Sequence, residues 1–195
     1  MVADPSLDYS VGTEHLFRIV GHSTLERLLH ATTKKEALKQ KIITAEEAKP
    51  GQLLSGTIFA VKPNGLTVRF SSAGTGGYFP GYITKLHLPR STPADEDTKW
   101  QKGLEKGQEI SCRVLYFDDT KGKLILTAKP ALVELGEDEK PVVELSKSLV
   151  GKSSKGIVIR MLEGGSCLIG FFNRVVGLLR ASDVKRVQES TGAVR

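Results

Sequence analysis

The side chains best suited to chemistry in this sequence are lysines and arginines at the ends of short apolar runs. Five of them fall in one central stretch: Lys62, Arg69, Lys85, Arg113 and Lys121. Positive side chains on one face of a protein bind the phosphate oxygens of nucleic acid and fix its position without reading its sequence. The sequence therefore predicts phosphate contacts if these side chains share a face, and solvated surface charge if they do not.

The charge of the whole chain favours an anionic partner. Its net charge is +6, and its isoelectric point is about 9.3. Such an excess favours nucleic acid or a membrane surface, although a mild excess is also common on other soluble proteins. No apolar stretch is long enough to span a bilayer, and the N-terminus lacks a signal-peptide pattern. We therefore expect a nucleic-acid partner in a reducing compartment, and no membrane.

No pattern of catalytic or metal-binding residues stands out. The four histidines are scattered: His15, His22, His30 and His87. Cys112 and Cys167 lie in apolar runs without a CxxC neighbour, which favours buried free thiols over zinc ligands or disulfides. The glycine-rich stretch 74–81 lacks the Gly-Lys-Ser/Thr ending of a phosphate loop. We expect a protein that is not an enzyme, with no metal, no cofactor and no small-molecule substrate.

The central part of the chain predicts a β-hairpin. Residues 53–59 form an apolar run, and the Asn64-Gly65 pair after it favours a turn because both residues tolerate positive φ. The next run alternates with a period of two, so its apolar members face the core: Leu66, Val68 and Phe70. Thr67 and Arg69 then face outward.

Three further strands complete the central unit. Residues 81–83 form a short third strand, and residues 109–117 and 123–128 form two more. A polar connection, residues 91–106, surrounds Trp100. Five short strands with a long connection between the third and fourth are typical of an OB-fold barrel, whereas an immunoglobulin-like sandwich has about seven strands. We therefore predict an all-β, five-stranded OB-fold barrel.

Parts of this unit recur at a fixed spacing. Five of its residues have counterparts about 95 residues earlier: Gly107, Arg113, Val114, Thr127 and Lys129 match Gly12, Arg18, Ile19, Thr32 and Lys34. Five more recur about 100 residues later: Gly51, Gly56, Ile58, Gly65 and Val68 match Gly151, Gly156, Val158, Gly165 and Leu168. A fixed offset marks a repeat array, so one complete repeat is flanked by two partial repeats.

The repeats divide the chain into five segments. Residues 1–35 hold the C-terminal part of one repeat, residues 49–133 a complete repeat, and residues 148–195 the N-terminal part of another. Residues 36–48 are a linker of helix-forming composition, and residues 134–147 are an acidic, solvated linker. Because each partial repeat would leave open sheet edges, the two halves could also pair with each other and close a second barrel.

The central unit resembles the S1 RNA-binding motif. The residues that carry the resemblance span the whole unit: Gly51, Gly56-Thr57, Asn64-Gly65, Gly81-Tyr82-Ile83, Gly107, Cys112-Arg113-Val114-Leu115, Asp118 and Lys123-Leu124-Ile125-Leu126-Thr127. The resemblance implies that the OB-fold barrel is of the S1 type.

More specifically, the chain resembles a family of multi-S1-repeat nucleolar proteins, ribosomal RNA processing protein 5, called programmed cell death protein 11 in animals. The segments that carry this resemblance are Lys85-Leu86-His87-Leu88, 112–115 and 126–133 in the central unit, and 18–25, 31–34 and 150–184 in the partial repeats. The family implies a non-catalytic RNA-binding module in ribosome biogenesis. Its partners would be single-stranded or pre-ribosomal RNA and ribosome-assembly proteins, and it would act in the nucleolus of the nucleus, in pre-rRNA processing and subunit assembly.

The resemblance also shows that the family's usual aromatic positions are not aromatic here. S1 barrels that bind single strands stack bases on aromatic residues beside the glycine of the first hairpin. Asn64 and Thr67 hold those positions in the central unit, and Gly164 and Cys167 hold them in the downstream repeat. We expect weak, salt-sensitive and sequence-tolerant binding by this window alone, which many tethered repeats would strengthen.

Other family positions do match. Asp118 follows the fourth strand and Lys123 opens the fifth, although Asp118 equally suits an ordinary hairpin turn. Thr84 and Arg180 stand where stronger binders of the family carry a histidine. The predicted RNA-binding set is therefore Lys62, Asn64, Thr67, Arg69, Thr84, Lys85, Arg113, Asp118, Lys121 and Lys123.

The missing aromatic residues leave a competing interpretation open. S1 barrels without stacking residues could be a protein-interaction scaffold that docks assembly factors and has little affinity for RNA. Four other aromatic residues remain, and each either lies exposed on a binding face or packs in the core: Tyr78, Phe79, Tyr82 and Trp100.

Overall fold

The computed structural model describes residues 6–72, 76–89, 103–136 and 139–184. The first sheet in these residues is a hairpin of β1 (Arg18–Ser23) and β2 (Leu28–Thr32). Its outer face packs Val20 against Ala37 and Ile43 of the segment that follows. The hairpin is therefore attached to the next segment by a small apolar cluster.

The central part of the chain forms a closed barrel. Its strands are β3 (Leu53–Lys62), β4 (Gly65–Ser72), β5 (Gly77–Thr84), β6 (Glu109–Asp118) and β7 (Lys123–Thr127). The order around the barrel is β3, β4, β5, β7, β6. Neighbours are antiparallel except β5 and β7, which run parallel through three residue pairs. This is the all-β, five-stranded OB-fold barrel that the sequence predicts.

Apolar side chains of alternate residues fill the barrel. Leu66, Val68 and Phe70 of β4 are all buried, which confirms the predicted core face of this strand. Gly81 on β5 also faces inward, where a Cβ would lie only 2.5 Å from Leu126 and 2.8 Å from Phe70. Glycine is therefore required for the strands to approach each other at this point.

Short helical segments pack around the barrel. The segment before β3 contains α1 (Lys35–Lys39) and a 3-10 turn (Ala45–Glu47). Ile42, Ala45 and Ala48 from this segment are buried in the same cluster as the barrel core. A second helix, α2 (Pro130–Val133), begins directly after β7 with proline at its first turn, where the missing N–H is harmless.

A third, open sheet follows the barrel. Its strands are β8 (Ile157–Met161), β9 (Cys167–Gly170) and β10 (Val176–Leu179), with β9 in the middle. This sheet and the β1–β2 hairpin are separate in the described residues. The hypothesis that the two halves pair within one chain is therefore wrong: the hairpin packs on the segment that follows it, and the downstream sheet packs on the barrel.

The upstream hairpin repeats the geometry of β6 and β7. Every pair in the β1–β2 ladder has its counterpart in the β6–β7 ladder, from Arg18–Thr32 and Arg113–Thr127 onward. Both ladders also shift register at the same place, after Ile19 and after Val114. A bulge is a specific backbone feature, so the hairpin copies the barrel in backbone detail as well as in sequence.

The downstream sheet repeats β3, β4 and β5, with one correction to the sequence match. Val158 pairs with Ile169 where Ile58 pairs with Val68, so the counterpart of Val68 is Ile169 and not Leu168. The turn before β9 contains an additional residue and two consecutive glycines at positive φ.

This slip of one residue exchanges the two faces of β9. Cys167 is buried and pairs with Met161, as Leu66 pairs with Val61 in the barrel. Cys167 therefore belongs to the inner face of the sheet. The outer position that matches Thr67 is held by Leu168, so assigning Cys167 to that place is wrong.

The downstream sheet docks on the outside of the barrel through Phe172. Its side chain is fully buried in a cluster with Leu115, Ile125 and Leu132, and Tyr82 packs against the same cluster. The following residues, Asn173 and Arg174, have positive φ although they are not glycines. They make a tight turn that directs Phe172 toward the barrel, and the guanidinium of Arg174 lies 4.2 Å from the ring centre of Tyr116.

Candidate nucleic-acid interface

The outer face of β3, β4 and β5 carries an arginine stacked on an aromatic ring. Arg69 points outward from β4, as its alternation with Val68 and Phe70 predicts, and is exposed. Its guanidinium carbon lies 3.2 Å from the centre of the Phe59 ring on β3. A register shift between Ile58 and Ala60 accompanies the outward position of Phe59. The stack therefore joins two neighbouring strands, and it depends on the bulge in β3.

Two more side chains extend this stack into a surface patch. The ring of Tyr78 on β5 lies 5.9 Å from the Arg69 guanidinium and is 67% exposed. Lys106 precedes β6 in the chain, and its ammonium group lies 5.5 Å from the centre of the Phe59 ring. Phe59, Arg69, Tyr78 and Lys106 together form what we call the basic-aromatic patch. It combines ring faces for bases with positive charge for phosphates.

A second cation–ring pair lies one strand further along. Lys123 opens β7, and its ammonium group lies 4.8 Å from the ring centre of Tyr82 on β5. Tyr82 is the cross-strand partner of Thr67, which is half-buried. Two members of the predicted set, Thr67 and Lys123, therefore lie on either side of one tyrosine ring.

The hairpin between β3 and β4 brings four more predicted residues close together. Lys62 and Asn64 are exposed at its tip. The backbone N–H of Lys85 donates to the carbonyl of Asn64 at 3.0 Å, and Thr84 precedes Lys85 at the end of β5. These residues form one edge of the same outer face.

Asp118 and Lys121 are engaged with each other in the turn between β6 and β7. The backbone N–H of Lys121 donates to Oδ1 of Asp118 at 3.3 Å, and the Lys121 ammonium lies 3.8 Å from Oδ2. Lys121 itself remains 64% exposed. These contacts favour the turn-forming role for Asp118 and leave the lysine facing solvent.

Arg113 makes its hydrogen bonds outside the basic-aromatic patch. Its guanidinium donates to three backbone carbonyls, those of Gly51 at 2.7 Å, Leu132 at 2.8 Å and Val133 at 2.6 Å. Burial lowers the pKa of Arg113, but an arginine keeps its charge under all ordinary conditions. The geometry favours a structural role, in which Arg113 holds α2 and the start of β3 against β6.

The remaining aromatic residues divide between core and surface. Phe79 is buried and stacks on Phe70 with ring centres 5.2 Å apart, whereas Tyr78 is exposed and Tyr82 is half-buried. Trp100 lies outside the described residues. Sequence reasoning missed Phe59 because the alternation of β3 is broken at the bulge, and it missed Lys106 because this residue lies in the connection before β6. Phe59 lies within the register shift itself, and no local sequence signal indicates that its ring faces outward.

Neither cysteine is placed for nucleophilic chemistry. Burial raises the pKa of Cys112 to about 12, and Cys167 is buried as a free thiol. Within the described ranges, no group of three or more His, Cys, Asp and Glu side chains could hold a metal ion. No helix among the described residues is long and apolar enough to cross a membrane.

Two solved structures match part of this chain at low similarity. The archaeal a/eIF2alpha–aDim2p–rRNA complex of Pyrococcus horikoshii is 15% identical over 43% of this chain and 45% of that chain, with a TM-score of 0.32. GSP13 of Bacillus subtilis is 18% identical over 55% of this chain and 73% of that chain, with a TM-score of 0.35. No protein-family model matches the chain.

Curated relatives match nearly the whole chain. The RRP5 homologue of mouse is 28% identical over 171 residues, which are 88% of this chain and 8% of the relative. The human RRP5 homologue is 26% identical over 88% of this chain and 8% of the relative. The rRNA biogenesis protein rrp5 of Schizosaccharomyces pombe is 26% identical over 90% of this chain and 10% of the relative. The chain thus spans about a tenth or less of the relatives it matches. These relatives confirm that the chain resembles the ribosomal RNA processing protein 5 family along most of its length.

Proposed function

We propose that this chain is a non-catalytic RNA-binding module of ribosome biogenesis, and that the basic-aromatic patch is its contact surface. The observation that carries the proposal is the stack of Arg69 on Phe59, beside the exposed ring of Tyr78. Stacking on a planar side chain contributes about 1 to 3 kcal/mol per base and tolerates any base. The patch would therefore provide the stacking that Asn64 and Thr67 lack.

Positive side chains around the patch would follow the phosphates. Lys106 lies beside Phe59, Lys123 beside Tyr82, and Lys62 and Lys121 are exposed at two turns of the same barrel. Charge of this kind positions a strand without reading its sequence. We expect a sequence-tolerant and salt-sensitive interaction with single-stranded RNA.

The fission yeast relative is named an rRNA biogenesis protein, which supports pre-ribosomal RNA as the partner. We extend the proposal to pre-rRNA processing and subunit assembly in the nucleolus, together with ribosome-assembly proteins. We also propose that the chain divides into the five segments that its sequence predicts. Residues 36–48 are then a linker that packs on the barrel core. Location can be measured by fluorescence microscopy of the tagged chain beside a nucleolar marker.

Fluorescence anisotropy with labelled single-stranded RNA tests the proposal. Arg69→Ala should weaken binding about 5- to 150-fold, the equivalent of one stacked base. Arg69→Lys keeps the charge and loses the planar group, so it should lose most of the same affinity. Tyr78→Phe should bind like the wild type because the ring is kept. Lys147→Ala, which removes one exposed charge away from the barrel, is the matched control.

The salt dependence provides an independent readout. Each phosphate contact contributes about 0.7 to the slope of log affinity against log salt for single strands, so three or four contacts predict a slope of roughly −2 to −3. Wild-type affinity that does not change with salt, or Arg69→Ala binding equal to that of Lys147→Ala, would contradict the proposed surface.

One observation favours a second candidate, a protein-docking scaffold. The barrel already accepts an apolar side chain on its outer face, because Phe172 is fully buried against Leu115 and Ile125. Other assembly factors could dock on S1 barrels in the same way. A variant with Arg69→Ala and Lys123→Ala separates the two roles: RNA binding should fall sharply, whereas co-purification of assembly proteins should persist if docking is the main role.

A further inference from the structure

The helices after β2 and after β7 begin in the same way. Lys34 directly precedes α1, and its counterpart Lys129 directly precedes α2. Each lysine donates its backbone N–H at 3.3 Å to the hydroxyl oxygen of a threonine at the end of the strand, Thr32 or Thr127. The same local hydrogen bond turns the chain out of both strands. Each helix therefore begins at the equivalent position of its repeat.

A small apolar face forms beside each helix. In the barrel it contains Leu115, at the bulge of β6, and Leu132 of α2. Their counterparts in the upstream repeat are Val20, at the bulge of β1, and Ala37 of α1, which also share one cluster. All four side chains are buried. We call this surface the helix face of a repeat.

The segment that leads into the next repeat covers the helix face in both places. Ile43 packs on the helix face of the upstream repeat and is 1% exposed. Val143 packs on the helix face of the barrel and is half-buried. Ile43 stands before Gly51 as Val143 stands before Gly151, at the same distance along the chain. Each contact residue therefore belongs to the repeat that follows the face on which it packs.

Polar side chains fix the backbone of both contact residues. The carboxylate of Glu47 accepts from the N–H of Ile43 at 3.1 Å and lies 2.9 Å from the guanidinium of Arg18 on β1. At the second junction, the side-chain amide of Asn173 donates to the carbonyl of Val143 at 3.0 Å. The groups differ between the junctions, but both hold the contact residue at the same place.

A second position also contacts the preceding repeat at both junctions. Val68 of β4 matches Ile169 of β9 in the strand ladders. Ser71 and Phe172 lie equally far beyond this matched pair and are therefore counterparts. The carbonyl of Ser71 accepts at 2.5 Å from the side-chain amide of Gln40, which directly follows α1. Phe172 packs on the helix face of the barrel itself.

We infer that the helix face of each repeat is the docking surface for the repeat that follows, and that it holds successive repeats in one fixed orientation. Different residues make the contact at equivalent positions of two junctions, so the docking belongs to the repeat and not to one pair of side chains. Domains of one chain move relative to each other unless an apolar interface holds them. The segments 36–48 and 134–147 are then parts of these interfaces as well as connections.

Distances between spin labels on neighbouring repeats test this inference. One chain carries Leu25→Cys on the hairpin and Thr120→Cys in the β6–β7 turn, and a second carries Thr120→Cys and Leu178→Cys on the downstream sheet. All three positions are exposed. Double electron–electron resonance should give one narrow distance distribution for each chain. The wild type should take up no label, because Cys112 and Cys167 are buried.

Serine variants of the contact residues are then made in both labelled chains. Ile43→Ser should replace the narrow distribution across the first junction by a broad one and leave the second junction unchanged. Val143→Ser should do the reverse, because each removes apolar contacts at one junction only. Lys41→Ser and Leu145→Ser are the matched controls: both positions are exposed, lie in the same segments and should keep narrow distributions.

Three results would overturn the inference. The first is a broad distribution across either junction without any serine variant. The second is a control variant that broadens the distribution as much as its neighbouring contact variant. The third is a contact variant in which Cys112 becomes reactive toward a thiol reagent, measured by mass spectrometry. In that case the contact residue would stabilise the barrel itself and not the orientation of its neighbour.

Discussion

Arg113 and Arg69 lie on the same barrel but have opposite surroundings. Arg113 donates to three carbonyls, whereas Arg69 is exposed and stacks on Phe59. A hydrogen bond of a charged group contributes about 1.5 to 3 kcal/mol, and several on one group are not additive. We therefore expect Arg113→Ala to lower the free energy of unfolding by about 2 to 4 kcal/mol, measured by urea denaturation.

The Arg69→Ala variant is the comparison for that measurement. It should lower the free energy of unfolding by only about 0.5 to 1 kcal/mol, the contribution of an exposed cation–ring contact. Its RNA affinity should fall, while the folded Arg113→Ala chain should keep wild-type affinity. If Arg113→Ala lost RNA affinity and remained as stable as the wild type, the structural role of Arg113 would be excluded.

His87 should make the stability of the barrel depend on pH. Burial, with a smaller contribution from Lys129, lowers its pKa from 6.5 to about 4. A histidine with a lowered pKa is held neutral in the folded state. The contribution of neutral His87 to the free energy of unfolding is therefore present above pH 6.5 and is lost as the pH falls toward about 4. The loss is at most about 3 kcal/mol, from 1.36 kcal/mol per pKa unit.

Urea unfolding of the wild type and of His87→Gln between pH 7 and about 4 checks this expectation. The difference in unfolding free energy between the two proteins should shrink as the pH falls, because only the wild type must take up a proton on unfolding. A constant difference over that range would mean that His87 titrates normally.

For single residues, the sequence predicts which face of a strand a side chain lies on but not which groups it contacts. Alternation alone places Leu66, Val68 and Phe70 inward and Arg69 outward, and the structure confirms all four. It does not show that Arg113 reaches the carbonyls of α2, because those contacts depend on how the chain turns after β7. It also misses Phe59, since a bulge interrupts the alternation of β3.

The β3–β4 hairpin depends on one glycine. Gly65 has φ of +148°, and a Cβ there would overlap the backbone carbonyl oxygen of Ile83. Gly122 in the β6–β7 turn has φ of +57° but open space around it. Gly122→Ala should therefore cost about 1 to 2 kcal/mol, the penalty of the left-handed conformation alone. Gly65→Ala adds a backbone clash and should cost about 3 kcal/mol or more.

Thermal unfolding followed by circular dichroism compares the two alanine variants. Gly65→Ala should melt well below Gly122→Ala, or fail to fold. Equal melting temperatures would show that β5 moves aside without loss. In that case the close approach at Ile83 would not determine the hairpin.

The docking of the downstream sheet should depend on Phe172. Replacing a buried phenylalanine by alanine costs about 3 to 5 kcal/mol, and here that loss falls on a contact between two elements. We expect Phe172→Ala to lower the protection of amide hydrogens in β8, β9 and β10, measured by hydrogen exchange and mass spectrometry. Leu178→Ala, which removes a side chain that is 61% exposed, should leave the protection unchanged.

The elements themselves were easier to predict than their registers. The Asn64-Gly65 turn, the strand at Glu109–Asp118 and the helix after Lys34 all follow from local sequence. The register of β9 does not, because one additional residue in a glycine turn leaves the apolar pattern almost unchanged while reversing the faces. The docking of Phe172 also has no local signal, since it depends on a surface far away in sequence.

For the whole molecule, the two native thiols report on different parts. Cys112 is buried in the closed barrel, and Cys167 is buried in the open sheet. Because the open sheet has three strands in the described residues whereas the barrel is closed by five, the open sheet should unfold first. Pulsed thiol labelling in increasing urea, read by mass spectrometry, should modify Cys167 before Cys112. Simultaneous modification would mean that barrel and sheet unfold as one cooperative unit.

The parallel contact between β5 and β7 has a consequence for the order in which the protein matures. It joins only three residue pairs, and its middle pair, Tyr82–Ile125, lies in the cluster that Phe172 completes. Since a chain leaves the ribosome from its N-terminal end, the barrel closes before Phe172 covers the short contact between β5 and β7. In the newly made barrel, water therefore reaches the contact between β5 and β7 until the segment that contains Phe172 has been synthesised and has docked.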